Sequence, residues 1–407
     1  MAKQFLYFQP EYVGKFKCDG SKCNARCCKN WIIGIDAATY EKYSRIKPKN
    51  IAKEITSRMK FNSEREEYIV TLEENFCPFL NENNLCRLQL DYGEEILSVT
   101  CTTYPRRTYS LGNFFERSLS LTCPVAAEMI LFNQEPMKFE LVEVPDKIHS
   151  KHGRIGITPV PISKDDAPLV REIQIAMISI LQERQFTIDQ RLIVLGLFLD
   201  KLQELISGGT DGDNVLDLIA AYRSEEFLLT EMPPILQSFA FDANKFVTFM
   251  IKFISHTWEA LRSKEGLKFF AAFEKVFGIK PDENDIVFIP EIAANFEKLV
   301  DARKNFSENY STFLENYLVN ELFYSFYPWR FRDQSLTKNF IVFLISCKIF
   351  EMMTFAAIQG GLDSKEDLSA MVNWFMLKTD HNDELYKRFF ELLEGVDDTY
   401  LLMVTLL

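Results

Sequence analysis

The residues best suited to chemistry are eight thiols near the start of the chain. Cys18-Asp-Gly-Ser-Lys-Cys23-Asn-Ala-Arg-Cys27-Cys28 is followed by Cys77-Pro-Phe-Leu, Leu85-Cys86-Arg87, Cys101-Thr-Thr-Tyr104-Pro105-Arg106 and Cys123-Pro124. Short spacings let one turn or loop present several sulfurs to a single centre, and thiolates suit zinc and iron–sulfur clusters. Eight thiols in one short region are hard to explain as packing alone. The ninth, Cys347, is different: it lies within Ile341-Val-Phe-Leu-Ile-Ser-Cys347, an apolar run that reads as a core helix, where a reduced cysteine behaves as a small hydrophobe.

With four ligands per centre, the eight thiols supply two centres, or one centre and four thiols of other use. Adjacent Cys27 and Cys28 do not easily ligate the same iron or zinc, so they serve different sites or one of them does another job. None of His149, His152, His256 and His381 falls in the cysteine region, so a zinc site there would be all-cysteine, which favours iron–sulfur. A C-x-x-x-C-x-x-C signature begins at Cys23 and Cys27 and is broken by Asn30.

The elements that must position these thiols differ from the rest of the chain. Of 407 residues, the first 130 carry 18 Lys+Arg against 16 Asp+Glu, a net of +2, and residues 131–407 carry 28 against 42, a net of −14. From about Asp165 apolar positions recur at helical spacing, rich in the 36 Phe, with recognisable starts and stops. Thr187 with Gln190 forms a capping-box pattern ahead of Arg191 to Ile206, Gly208-Gly209 stops that helix, and Ser364 with Asp367 marks another start. Further helices are predicted over 213–229, 243–277, 291–324 in one or two pieces, 336–358 and 383–393. The Phe stripes read as helix–helix core. There is no βαβ alternation, and Gly208-Gly-Thr-Asp-Gly212 follows a helix, so it reads as a stop and loop and not as a nucleotide-binding turn.

The fold class expected is therefore mainly α: a loop-rich cysteine and metal-binding N-terminal region, 1–135, packed on a larger all-α domain, 169–407. Between them, 136–168 holds Pro145, Pro159 and Pro161, lacks helical period, and looks linker-like with some extended structure. Hydrophobic content of 47% with 26% charged residues excludes disordered and collagen-like classes. The longest uncharged candidate span, Asn339 to Cys347, is too short to cross a bilayer, so no membrane insertion is expected. No secretory signal is recognisable at the N-terminus, which implies a cytoplasmic protein with reduced thiols. A net charge of −12 without a long basic run argues against nucleic-acid binding.

The order of Cys18, Cys23, Cys27-Cys28, Cys77-Pro-Phe-Leu, Cys86, Cys101-x-x-Tyr104-Pro105 and Cys123-Pro124 resembles the zinc- or iron-chelating cysteine-cluster family. The whole chain is similar to the bacterial flagellin lysine-N-methylases, most closely at Cys18-Asp-Gly-Ser-Lys-Cys23 and Cys27-Cys28-Lys29-Asn30-Trp31-Ile32. The resemblance implies methyl transfer from S-adenosylmethionine to lysines of flagellin, with a cysteine-bound four-iron four-sulfur cluster, zinc being the alternative. The spacing Cys18-x4-Cys23-x3-Cys27 is wider than in the commoner cluster family, so all eight cysteines stand as candidate ligands.

Tyr104-Pro105-Arg106-Arg107 puts a phenol and two guanidinium groups directly after Cys101. Tyr104 and Arg106 are candidates for the chemistry, and Arg107 is a candidate for holding the donor's carboxylate, a task a bidentate guanidinium suits. The same arginines could instead balance thiolate charge or face solvent. Trp31 and Tyr109 read as core. Two other readings compete with methyl transfer: a non-enzymatic structural-zinc module that binds a protein partner, and an iron–sulfur redox protein.

Overall fold

The computed structural model describes residues 4–20, 23, 25–29, 31–111, 114–145, 167–209, 212–238, 243–261, 263–278, 289–380 and 382–394. The fold is mainly α, and it divides into two compact units, Met1–Ala127 with Lys138–Val160, and Glu128–Met137 with Pro161–Leu407.

The cysteine-bearing unit contains more strand than its sequence pattern predicts. Gln4–Pro10 (β1), Arg106–Leu111 (β5), Phe114–Leu119 (β6) and Phe139–Pro145 (β7) make a sheet in the order β5-β6-β1-β7, in which β1 runs parallel to β6 and antiparallel to β7. Gly34–Ile35 (β2), Met59–Asn62 (β3) and Glu67–Val70 (β4) make a second sheet, ordered β2-β4-β3. The first sheet holds together through aromatic pairs: Tyr7 of β1 stacks on Phe115 of β6, with ring centroids 5.1 Å apart. Strand β7 lies in the linker-like segment, where its extended residues pair with β1 from Gln4↔Pro145 to Pro10↔Phe139. His149, His152, Pro159 and Pro161 lie outside the described residues.

Short helices fill the remainder of this unit. Asp36 caps Ala37–Ser44 (α1), accepting hydrogen bonds from the Thr39 amide at 2.9 Å and the Thr39 hydroxyl at 2.7 Å. The same carboxylate accepts from the Val99 amide at 3.3 Å, at the start of Val99–Thr103 (α2), the helix that carries Cys101. Ser98 caps α2, and its hydroxyl donates to the Gly34 carbonyl of β2 at 3.3 Å. Two capping residues thus tie the Cys101 helix to the small sheet.

In the second unit the capping box at Thr187 and Gln190 is present, starting Ile188–Ser207 (α3), which ends at Gly208 with Gly209 at φ +72°. Ser364 caps Lys365–Thr379. Several predicted helices are shorter than their periodicity. The stretch 243–277 is two helices, Ala243–Leu261 and Leu267–Phe277, because the Trp374 indole donates to the Leu261 carbonyl and the Ser263 hydroxyl, and Gly266 lies flat against the Trp374 ring. The stretch 213–229 becomes Gly212–Tyr222 followed by a wide π turn at Phe227–Glu231, and 291–324 becomes three pieces ending in Ser311–Tyr324 (α4).

The uncharged run at Asn339–Cys347 belongs to a longer helix, Leu336–Gln359 (α5), which by length and composition is apolar enough to cross a membrane. Its most apolar stretch is 83% buried inside the unit, and Lys348 in mid-helix pairs with Asp189 and Glu351, so its apolarity serves the core. Phe350 of α5 stacks on Tyr317 of α4 with centroids 3.6 Å apart, and Cys347 is buried as the sequence reading places it.

A buried ion triad fixes α4 to α3. Glu315 accepts from Arg191 at 2.8 Å and from Arg184 at 2.9 Å, and only 1% of its side chain is exposed. Arg191 also donates to the Phe186 and Leu181 carbonyls, so its charge is surrounded by protein.

Glu315→Gln should lower the stability of this unit by about 3–5 kcal/mol, because it strands the buried Arg191 charge; a urea melt showing a change below about 1 kcal/mol would contradict this role. For Asp36, burial alone would raise the carboxyl, but hydrogen bonds from Thr39 and from the Val99 amide outweigh it and hold it below the ordinary carboxylate value. Its stabilisation is present above the unfolded pKa and is lost as pH falls through the depressed folded value. Asp36→Ala should therefore cost about 1 kcal/mol at neutral pH, and paired urea melts should show that cost shrinking on the acid limb.

Candidate functional site

Six of the eight thiols are placed by local hydrogen bonds and turns. Cys27 and Cys28 sit on the short 3-10 turn Arg26–Cys28, which Ala25 enters from the left-handed region at φ 54°. The Cys77 amide donates to the Cys28 carbonyl at 2.7 Å, joining two loops that lie about fifty residues apart in sequence. After Cys77-Pro-Phe-Leu, the Asn81 side chain accepts from the Asn83 and Leu85 amides and closes a tight turn, returning the chain so that Arg87 N bonds to Phe79 O and Cys86 stands at the start of Arg87–Tyr92. Cys101 rides on α2, and Cys123 precedes Pro124–Leu131, accepting from the Ala127 amide.

Seven of the eight cysteines, all but Cys77, stand in the wall of one cavity of about 380 Å³. Cys77 is buried directly behind it and shares a sulfur–sulfur hydrogen bond with Cys28. The Cys27 and Cys28 sulfurs are 3.6 Å apart. Among the described residues, no three His, Cys, Asp or Glu side chains are gathered closely enough to hold a single metal ion.

The electrostatics are those of crowded, largely buried thiols with Lys17, Arg26 and Arg106 in the same wall. Burial pushes Cys101 and Cys123 up to about 12, and it also raises Cys18 and Cys86. The Cys27 and Cys77 thiols go the other way, because each is hydrogen-bonded by Cys28, whose own thiol is driven up as the shared donor. A bound cation would favour the thiolate form of several of them together.

The structure separates the two arginines. Arg106 lines the cavity, lies 5.1 Å from the Phe16 ring, and feels Glu94, Cys18 and Cys123. Arg107, next on β5, is not in the cavity wall and packs 6.0 Å from the Tyr109 ring, as the alternation of a strand requires. Tyr104 lines the cavity, and its hydroxyl is 3.1 Å from that of Thr122. Trp31, read as core, is 37% exposed, bonds to the Cys27 carbonyl and stands 6.2 Å from Tyr104, whereas Tyr109 is buried. Asp19, Arg26 and Glu94 also line the cavity and carry no motif. Asp19 and Arg26 had a signal in their position between candidate ligand cysteines; Glu94 had none.

Residues 174–404 match the family described as the FliB lysine N-methylase C-terminal domain. A stretch of 139 residues is 36% identical to the lysine-N-methylase of Salmonella typhimurium strain LT2, covering 33% of this chain and 35% of that protein. The same extent and identity hold for the lysine-N-methylase of Salmonella choleraesuis strain SC-B67. For the flagellar biosynthetic protein FliU of Salmonella muenchen, a 36% identical stretch covers 33% of this chain and 82% of that protein. The matched stretch spans about a third of the length of the two lysine-N-methylases. No solved structure matches. The family match covers more than half of the 407 residues, and the chain belongs to the FliB lysine N-methylase family.

Proposed function

We propose that the chain transfers methyl groups from S-adenosylmethionine to lysine side chains of flagellin, and that its cysteine cavity holds an iron–sulfur cluster and receives the donor beside it. The observation that carries the proposal is the convergence of seven cysteines, Tyr104 and Arg106 on one cavity in a member of this family. The names of its relatives, lysine-N-methylase and flagellar biosynthetic protein, support lysine and flagellin as the target.

The donor set favours a polynuclear centre. A single zinc needs four ligands at about 2.3 Å from one point, and among the described residues no three candidate ligands are gathered for one ion. A cluster presents several separate irons, so its cysteines stand around a larger body. When bound, such a group would supply the positive charge that crowded thiolates require.

The remaining chemistry falls to side chains. Lysine, with a reference pKa of about 10.4, must lose its proton before its Nζ lone pair can attack the sulfonium methyl. As the N–C bond forms the C–S bond breaks, leaving neutral S-adenosylhomocysteine and a methylammonium that can release its proton again. Asp19 and Glu94 place two carboxylates in the cavity wall beside Lys17, Arg26 and Arg106, and Tyr104 adds an aromatic face suited to a cationic reactant. Arg106, partly desolvated, offers a guanidinium to the donor's carboxylate. Among the described residues there is no alternating α/β sheet with a glycine-rich turn, so the ordinary nucleotide-binding route to this donor is not available.

Incubating anaerobically purified chain with flagellin and S-adenosylmethionine should add whole methyl units to flagellin lysines, read by peptide mass spectrometry and absent without the donor. Arg106→Gln should raise the donor's KM roughly 10- to 100-fold, the loss of one charge-assisted bidentate contact, with a smaller change in kcat. Flagellin left unmodified by chain that retains its cluster would overturn the proposal.

A further inference from the structure

Trp31 reads as core in the sequence, yet its side chain reaches solvent. It is 37% exposed, its neighbour Ile32 is 48% exposed, and Phe76 is 42% exposed. Phe76 is bridged to Lys29, so the three belong to two adjoining loops, and a group of exposed apolar side chains on adjoining loops marks a contact surface. Of the three, Trp31 reaches the cavity: its ring centroid lies 6.2 Å from that of Tyr104, the planes tilted by 39°. Tyr104 is in the cavity wall and Trp31 is outside it, so the pair leads from the surface to the wall. Both rings are held before anything binds. The Trp31 indole donates to the Cys27 carbonyl at 2.8 Å, and the Tyr104 hydroxyl is 3.1 Å from that of Thr122, itself 2.7 Å from that of Ser120. Rings fixed in this way lose little further freedom on meeting a partner.

We propose that Trp31 receives the acceptor lysine of flagellin, its ring face lying along the side-chain stem and ammonium, and that Tyr104 takes the ammonium on into the cavity. The proposal rests on the methyl-transfer reading above and deepens it by naming the residue that recognises the acceptor. A cavity of about 380 Å³ takes a small-molecule donor and the end of one side chain, but not a protein, whose main chain has to lie outside the wall. The residue that meets it there must suit both halves of a lysine, a four-carbon stem and a compact cation. An indole does both, through its apolar area and the negative face of its ring. The same loops already show this contact: the Lys29 ammonium lies 5.4 Å from the Phe76 ring centroid. Arg26 in the cavity wall and Lys29, two residues before Trp31, carry the same sign of charge as the incoming lysine. Ring contact and not net charge attraction therefore has to supply the recognition. The donor is met elsewhere, since Arg106 inside the wall is the group proposed for its carboxylate.

The test uses the full chain, purified anaerobically, and monomeric flagellin. The parent is compared with Trp31→Phe and Trp31→Leu; both variants remove the bond to the Cys27 carbonyl, and only Phe keeps an aromatic face. Kd for flagellin is measured without donor, and KM for flagellin and for S-adenosylmethionine during turnover. Trp31→Leu should raise the Kd and KM for flagellin about 3- to 30-fold, the range of a cation–π contact, and leave the donor's KM unchanged. Trp31→Phe should keep most of the affinity. On flagellin whose lysines have been acetylated, which removes their charge, the difference between the parent and Trp31→Leu should vanish. An unchanged flagellin Kd in Trp31→Leu, or a rise in the donor's KM in place of flagellin's, would overturn the proposal and leave the methylase reading standing. Equal losses in the Phe and Leu variants would assign the effect to the Cys27 loop and overturn it too, as would a loss that persists in full on acetylated flagellin. Flagellin that binds through Trp31 and is never methylated would instead overturn the reaction and keep the contact. A parent chain that does not bind flagellin at all would overturn both.

Discussion

Thiolates cannot accumulate charge in a confined space unless a cation shares it, and the architecture of the first unit follows from that constraint. Its cavity draws sulfurs from four separate loops, and burial alone drives most of these thiols toward their neutral form. A polycationic centre of the kind proposed would reverse that preference, and its binding would then be coupled to the folding of these loops. The small elements around the cavity, short helices and a three-stranded sheet, bury a core of their own that includes Ile35, Tyr43, Met59 and Val70. Asp36, Ser98 and Asn81 are the hydrogen-bonding pins that hold their ends in place.

The second unit meets a different requirement. It is a helical core rich in Phe, in which Tyr317 stacks on Phe350 and Phe277 on Phe296, and its few buried charges are matched within it, as Glu315 is to Arg191 and Lys348 to Glu351. Residues 128–137 belong to this unit through side-chain bonds to their carbonyls, from Asn316 to Asn133 and from Gln182 to Met137. The family match falls on this unit, whereas the residues with metal chemistry fall in the other. The methyl transfer proposed draws on both: the helical body that carries the family match, and the sulfur-lined cavity proposed to hold cofactor and donor.

Much of the candidate site was legible in residue type and spacing, because metal ligation is a local chemical demand: the cysteines and Tyr104 could be named before any coordinate was seen. So could the caps at Thr187 and Ser364, where side chain and backbone sit within one turn. What depended on distant partners was not legible. The four-stranded sheet pairs β1 with a strand more than a hundred residues away, and neither strand alone reveals the other. Arg106 and Arg107 could not be told apart until β5 was known to be a strand, after which alternation assigns one to the cavity. The break at Gly266 comes from Trp374, a neighbour in space alone.

The central claim is that the donor and the cluster occupy the same cavity. Electron–nuclear double resonance on the reduced, reconstituted chain with S-adenosylmethionine carrying a carbon-13 methyl group tests it directly. The account predicts a measurable carbon-13 hyperfine coupling that disappears when unlabelled donor is substituted. A sample in which the donor is bound, as shown by equilibrium dialysis, and yet no coupling appears would place the donor elsewhere and contradict the account.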